Sequence, residues 1–240
     1  QASVRLLDLM NIDVSTIDIL LFVSQTPDYI LPATSATLHK RLGCPKKTAS
    51  FDINLGCSGY VYGIWIAASL LLANQLNRAL LLVGDTISKL VSPQDKSTAR
   101  LFGDAGSATL IESASEASDI TFCLGTDGSG KDNLIVPAGG FRYRHSQDSN
   151  KRILREDGGI RSDEDLFMNG PEIFTFTLRE VPSIIHELVD DFNVVDAVLF
   201  HQANKLILDY LSKKLKIPNE KVPLSLNEFG NTSSASIPVT

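Results

Sequence analysis

Two stretches, IDILLFV at 17–23 and VDAVLFH at 195–201, follow one pattern, and this repeat constrains the fold more than any single element. Asp18 aligns with Asp196, Phe22 with Phe200 and Val23 with His201. Each stretch is short and apolar, as a strand covered on both faces should be. Each precedes a helical pattern, a second strand-like run and a Gly-X pair that opens another helix. That pair is Gly56-Cys57 in the first half and Gly230-Asn231 in the second. The simplest account is a duplicated α/β unit, with halves 1–115 and 116–240, packed about a pseudo-two-fold. Such packing is expected to bring Cys57 and Asn231 toward each other, with His201 at a strand's carboxyl end, where ligands of α/β sheets tend to bind.

The remaining pattern fits an α/β class with alternating strands and helices. Strands are predicted at 18–24, 48–54, 79–84, 106–112, 119–124, 195–200 and 222–227. Helices are predicted at 34–42 (ended by Gly43), 58–76, 170–191 and 203–215, and a last helix is expected to start in GNTSSAS. The 58–76 segment is apolar almost all round, which predicts a buried helix. Residues 130–165 read as charged surface loops. The chain opens directly in a helical pattern and stops in SSASIPVT, so both termini of the fold are expected to lie outside these residues.

With 43% hydrophobic and 21% charged residues, the 240-residue chain has the composition of a globular protein with a sizeable core. A formal net charge of −6 argues against non-specific nucleic-acid binding. No uninterrupted apolar run is long enough for a transmembrane span, and QASVRLLDLM lacks the features of a signal peptide. Three irregularly spaced cysteines argue against a disulfide framework and for a reducing, cytoplasmic setting. No CxxC, HExxH or His/Cys cluster suggests a metal, and no cofactor is expected.

Cys57 sits between Gly56 and Ser58 where a strand pattern turns into a helix pattern. A helix N-terminus would stabilise a thiolate there, and Gly56 and Gly59 would leave room for a substrate. The alternative is a buried, inert cysteine. Cys44 and Cys123 lack this setting and read as structural. His201, in FHQAN, is placed for proton transfer, or simply to hydrogen-bond a loop. His39, His145 and His186 read as surface residues. Asn231, in EFGNTSSAS, is either a helix cap or a neutral amide donor to a developing oxyanion.

Four motifs in order make the pattern specific: D-x-x-x-G-C-S-G around Cys57, FGDAGSATL at 102–110, HQAN at 201–204 and GNTSSAS at 230–236. Over essentially the whole chain the sequence resembles the thiolase superfamily and, within it, 3-oxoacyl-[acyl-carrier-protein] synthase III. An elongating condensing enzyme would carry a second histidine in place of Asn231.

The resemblance implies a thiolase-like fold of duplicated α/β/α/β/α layers and a two-stage reaction. Cys57 takes an acyl group from acyl-CoA. Malonyl-acyl carrier protein (malonyl-ACP) then decarboxylates, with His201 and Asn231 stabilising the enolate, and condenses to a 3-oxoacyl thioester. The Cys57 N–H would be one oxyanion donor; the other, and the CoA adenine contacts, are expected outside these residues. By the same resemblance Lys96 stands near the CoA phosphates. Met168, Gly170, Phe174, Ala203 and Asn204 line the pantetheine tunnel. Lys213 and Lys214 form a patch for the acidic carrier protein, although a plain solvated helix face would look the same. Leu31 replaces a phenylalanine that closes the acyl pocket across a homodimer. Leu31 and the long, charged stretch GGFRYRHSQDSNKRILREDGG point to a specialised relative in secondary metabolism or glycan acylation. Two competing readings are an acyltransferase to an amine or hydroxyl without condensation, and a non-catalytic partner subunit.

Overall fold

The four apolar runs before residue 115 assemble into one sheet in a computed structural model, which describes residues 1–116 and 119–240. Helix α1 (Ala2–Met10) leads to strand β1 (Ile19–Val23). Helix α2 (Thr34–Leu42), strand β2 (Ala49–Ile53), helix α3 (Gly59–Asn74), strand β3 (Arg78–Asp85) and strand β4 (Ala105–Glu112) follow. The sheet order is β2-β1-β3-β4. β1 runs parallel to β2 and β3, whereas β4 is antiparallel to β3. Parallel neighbours need crossovers, which α2 and α3 supply.

Alternation along β1 and β3 builds a core on each face of the sheet. Leu20, Leu80 and Leu82 face a cluster completed by Leu7 and Ile17. Ile19, Leu21, Val23, Leu81 and Val83 face Ala67 and Leu71 of α3, and Ala235. The central strands are therefore covered on both sides, as their continuous apolar character requires.

α2 ends as expected, with Gly43 at φ 73°. Its start is less ordinary. Ala33 has no capping side chain, and the otherwise unpaired first-turn N–H groups of buried Thr34 and Ser35 are satisfied from the neighbouring strand. Asp52 Oδ2 accepts from Thr34 N–H at 2.7 Å and Oδ1 from Ser35 N–H at 2.7 Å. A carboxylate there also interacts favourably with the positive end of the helix dipole. The aspartate of the D-x-x-x-G-C motif is thus a helix cap supplied in trans.

The expectation that the apolar α3 is a buried helix holds for one face. Only Gly59, Gly63, Ala67 and Leu71 are buried, a single i, i+4 stripe. A Cβ added at Gly59 would lie 2.5 Å from Val23 Cγ1, and one at Gly63 would lie 2.7 Å from Leu81 Cδ1. The small residues let the helix approach the sheet. The opposite face leaves Val61, Trp65 and Leu72 exposed.

The chain forms two compact units that are discontinuous in sequence. The first combines Gln1–Asp85, Asp104–Phe122 and Thr232–Thr240; the second combines Thr86–Gly103 and Cys123–Asn231. In the second unit four two-residue strands form two ribbons. These strands are β5 (Leu134–Ile135), β6 (Ile153–Leu154), β7 (Ile160–Arg161) and β8 (Phe167–Met168). β5 pairs with β8 and β6 with β7. Helices α4 (Gly170–Leu188) and α5 (Lys205–Lys214) enclose a core of Phe200, Ile207, Leu208, Leu211 and Val222, packed by Phe174 and Ile185. α4 stops short of the predicted residue 191 because Asp191 caps a separate 3-10 turn, accepting from Asn193 N–H at 2.9 Å. Helix α6 (Leu226–Phe229) precedes Gly230, and helix α7 (Ser236–Val239) closes the first unit.

The predicted strands at 119–124, 195–200 and 222–227 are not strands. Among the described residues, the one backbone–backbone bond between the 195–200 run and the chain near 222 is Val198 N–H to Lys221 O, at 2.8 Å, beside a side-chain bond from Lys221 Nζ to Val195 O at 2.6 Å. One bond is not a ladder. The apolar composition does mark core residues, Phe200 and Val222, but a strand also needs a partner edge. Among the described residues, the second copy of the repeat forms no counterpart of the sheet that the first copy builds.

Candidate active site

Cys57 lies in the turn that launches α3, one residue before the N-cap Ser58. Gly59 N–H donates to Gly56 O at 2.7 Å and tightens this turn. The glycines do not make room for substrate, as expected above. Gly59 makes room for Val23, and a Cβ at Gly56 would lie 2.3 Å from Gln25 Oε1 and 3.2 Å from Ser233 Oγ. Gly56 is glycine because two other segments press against the turn.

The electrostatics of Cys57 also correct the expectation of a resting thiolate. The residue is exposed, yet protein crowded around its sulfur desolvates it. That desolvation, reinforced by the charge of Asp85 and only partly opposed by a backbone hydrogen bond, pushes the thiol up to about 11. At neutral pH Cys57 rests protonated, and the helix start does not outweigh desolvation. Ionisation therefore needs a base.

His201 supplies base-type chemistry in the second unit. Burial pushes its imidazole down to about 4, so the ring is neutral at working pH. The rest of the HQAN motif fixes the loop that carries it. Gln202 is fully buried; its Nε2 donates to Phe200 O at 3.0 Å and its Oε1 accepts from Ser225 N–H at 3.0 Å. Ala203 N–H donates to His201 O at 2.9 Å. Asn204 caps α5, accepting from Ile207 N–H at 2.9 Å.

Asn231 is not the first residue of a helix; the following turn runs over Ser233–Ala235. Its backbone instead bridges Phe102 as an isolated parallel pair. Asn231 N–H donates to Leu101 O at 2.9 Å, and Gly103 N–H donates to Asn231 O at 3.0 Å. Gly230 makes this possible at φ 67°; a Cβ there would sit 3.1 Å from Leu101 O. The FG of FGDAGSATL and the GN of GNTSSAS are thus two sides of one clamp, which holds the Asn231 amide in place.

Of the other predicted contacts, Met168 belongs to β8 and Gly170 opens α4. Phe174 stacks edge-on against Tyr210, with centroids 6.3 Å apart. Ala203 packs on the α4–α5 core. Leu31 is 80% exposed in the loop before α2. Lys96 is exposed on a turn held from beneath by Asp95, whose Oδ1 accepts from Ser97 N–H at 3.0 Å and whose Oδ2 accepts from Arg161 Nη1 at 3.1 Å. Lys213 borders a hollow of about 630 Å³ beside α5 that Lys205 and Lys216 also line. Lys214 points elsewhere, donating to Leu178 O at 3.0 Å. Cys123 is not in a strand; its thiol donates to Glu187 at 3.1 Å. Among the described residues no cluster of His, Cys, Asp and Glu could hold a metal, and no helix is long and apolar enough to cross a membrane.

The sequence alone assigns no role to three residues: Asp52, which caps α2, Gln202, which fixes the His201 loop, and Asp85. A signal for the last was available, since an aspartate ends the otherwise apolar run ALLLVGD.

Family models for 3-oxoacyl-[acyl-carrier-protein] synthase III match residues 51–128, and models for its C-terminal part match 191–240. A Campylobacter jejuni protein named as a candidate 3-oxoacyl-[acyl-carrier-protein] synthase 3 is 37% identical across 99% of this chain and 68% of its own length. The chain belongs to the 3-oxoacyl-[acyl-carrier-protein] synthase III family. A β-ketoacyl-[acyl-carrier-protein] synthase III of Clostridium perfringens is 33% identical over 100% of this chain and 72% of the relative. A crystal structure of a 3-oxoacyl-(acyl-carrier-protein) synthase III superposes with a TM-score of 0.93 at 40% identity, covering 99% of this chain and 72% of that one. The fold is accordingly the thiolase-like α/β fold, and the enzyme is an acyltransferase of the condensing type.

Proposed function

We propose that Cys57, His201 and Asn231 carry out a decarboxylative condensation between an acyl-CoA and malonyl-ACP. In the first stage the Cys57 sulfur attacks the acyl-CoA carbonyl. The thiol proton passes to a neutral base, and CoA leaves as its thiol. The Cys57 N–H is one donor to the oxyanion. In the second stage malonyl-ACP loses carbon dioxide. The electron pair left on its α-carbon is delocalised onto the thioester oxygen, which His201 and Asn231 stabilise. The carbanion then attacks the acyl-cysteine, releasing the Cys57 sulfur and a 3-oxoacyl-ACP.

The observation that carries this reading is the neutral imidazole of His201. A neutral ring and a carboxamide are two donors that stabilise an enolate without being acids strong enough to quench it by protonation. The same neutral ring is the kind of base that a resting thiol requires. Lys96 is assigned to the CoA phosphates. Met168, Gly170, Phe174, Ala203 and Asn204 are assigned to the pantetheine arm, and Leu31 to the acyl pocket. Lys213 faces the acidic carrier protein from the hollow by α5, and Lys214, turned toward Leu178, takes no part in that hollow. No cofactor takes part, the two duplicated halves 1–115 and 116–240 contribute one residue and two, and a cytoplasmic homodimer is the working form.

Intact-mass analysis after incubation with mixed acyl-CoAs tests the first stage, and malonyl-ACP addition with trapping of carbon dioxide tests the second. Cys57→Ala is expected to lose the acyl mass gain and about a thousandfold or more of turnover. A Cys57→Ala protein that keeps full activity defeats the reading. Acyl transfer to an amine or hydroxyl with no carbon dioxide released would establish the non-condensing alternative.

A further inference from the structure

Asp85 is a carboxylate that is 3% exposed at the end of β3, and among the described residues it forms no ion pair. Its charge is met by hydrogen-bond donors from two other segments of the same unit. Oδ1 accepts from Gln25 N–H at 2.7 Å, Ser24 Oγ at 3.1 Å and Thr26 Oγ1 at 3.4 Å. Oδ2 accepts from Ser234 Oγ at 2.6 Å and Ser234 N–H at 3.2 Å. A buried charge satisfied this way is costly to disturb, because any lost donor leaves it exposed to a low dielectric.

The two segments tied by Asp85 are the ones that press on the nucleophile turn. Gln25 Oε1 and Ser233 Oγ both lie within contact distance of the space a Gly56 side chain would fill. Gly56 precedes Cys57, and Ser233 neighbours Ser234 in the chain. The route from Asp85 to Cys57 thus has two short arms, one through Gln25 and one through Ser234 and Ser233.

From this geometry we propose that Asp85 is a positioning residue, whose carboxylate clamps the 24–26 loop to the 233–234 turn and so fixes the wall on which Gly56 and Cys57 are seated. Asp85 touches no reacting atom in this assignment; it sets where the sulfur stands relative to an incoming thioester. The inference rests on the assignment of Cys57 as nucleophile. Misplacing a nucleophile by a fraction of an ångström lowers the rate of attack without changing how substrate is held, which separates this role from one in substrate binding.

The test uses the full chain and follows acylation of Cys57 by intact mass with acetyl-, butyryl- and octanoyl-CoA as probes, at saturating and limiting concentrations. Asp85→Asn keeps the size and one acceptor but removes the charge. Ser234→Ala removes the shorter bond of one arm and leaves the carboxylate with Ser234 N–H, Ser24, Gln25 and Thr26, so it remains informative if Asp85→Asn fails to fold. Thr48→Ala is the comparator, because it removes an equally buried hydroxyl bond, to Ile17 O at 2.7 Å, in the same unit. Asp85→Asn is expected to lose roughly thirtyfold or more in the maximal acylation rate and Ser234→Ala roughly fivefold, each with half-saturation within about twofold of the parent. Thr48→Ala is expected to acylate normally even where its melting temperature falls as far as that of Ser234→Ala. Alkylation of Cys57 by iodoacetamide, which needs no orientation, should not slow in Asp85→Asn, since loss of the negative charge eases thiol ionisation. Parental acylation rates in both variants, or a loss in Thr48→Ala equal to that in Ser234→Ala at matched stability, would overturn the inference while Cys57→Ala stays inactive. A Cys57→Ala protein that is still acylated at the parental rate would instead remove the nucleophile assignment, and this inference with it.

Discussion

At the scale of single residues, His201 links catalysis to stability. Its pKa lies near 4 in the folded protein and at 6.5 in a model peptide. Between those values the unfolded chain binds a proton that the folded chain does not, so stability falls as pH drops from 6.5 toward 4. Carboxylates held low by partners, such as Asp157 at about 2, add their own losses only at more acidic pH. Comparison of pH 7 with pH 5 therefore isolates the histidine. The parent is expected to lose on the order of 1 kcal/mol more than His201→Gln over that interval, after allowance for partial exposure. Urea midpoints at the two pH values check it, and equal losses in both proteins would contradict a neutral buried imidazole. The same residue shows what was legible in advance. The type and neighbourhood of His201 were readable from FHQAN, because a histidine after an apolar run is a local pattern. Its neutrality was not, because desolvation is a sum over groups distant in sequence. Cys57 shows the converse. Its place at a helix start was legible, but the inferred thiolate was wrong, since the helix effect was weighed without the crowding around the sulfur.

At the scale of elements, the sequence specifies locally those elements that depend on themselves and not those that depend on a partner. β1, β3, α2 and α4 follow from their own apolar periods and turn residues. The 195–200 and 222–227 runs have the same composition as true strands, yet among the described residues no adjacent edge pairs with them. α2 is the instructive intermediate. Its length is written in 34–43, but its N-terminal cap is on β2, where Asp52 looked like part of a catalytic motif. The cap predicts that Asp52→Ala destabilises the protein by about 1–2 kcal/mol, a melting shift of roughly 2–8 °C, with faster amide exchange in the first turn of α2. Asp52→Asn retains an acceptor and should cost less. If Asp52→Ala left exchange in α2 unchanged and melted with the parent, the cap would have to be assigned elsewhere.

At the scale of the whole molecule, one apolar surface of the first unit is unexplained by its own core. β2 lies at the edge of the sheet, and Phe51 on it is 39% exposed. The outer side of α3 adds Val61, Trp65 and Leu72 to the exposed apolar surface. A sheet edge without a neighbouring strand and an exposed apolar helix face are both surfaces that soluble proteins cover. The homodimer proposed above covers it if two β2 edges pair and extend the sheet from one copy into the next. The two contributions are separable. Edge pairing relies on backbone groups and tolerates side-chain change, whereas the contact around Phe51 and Trp65 relies on apolar area and does not tolerate a charge. Phe51→Lys is therefore expected to convert a dimer at micromolar concentration into a monomer in sedimentation velocity. Its far-UV circular dichroism should remain that of the parent, because Phe51 contributes little to either sheet core. A Trp65→Ala chain should dimerise more weakly but still measurably. A parent chain that sediments as a monomer would refute the dimer outright. A dimer indifferent to Phe51→Lys would move the interface away from β2 and leave the apolar face of α3 to some other cover.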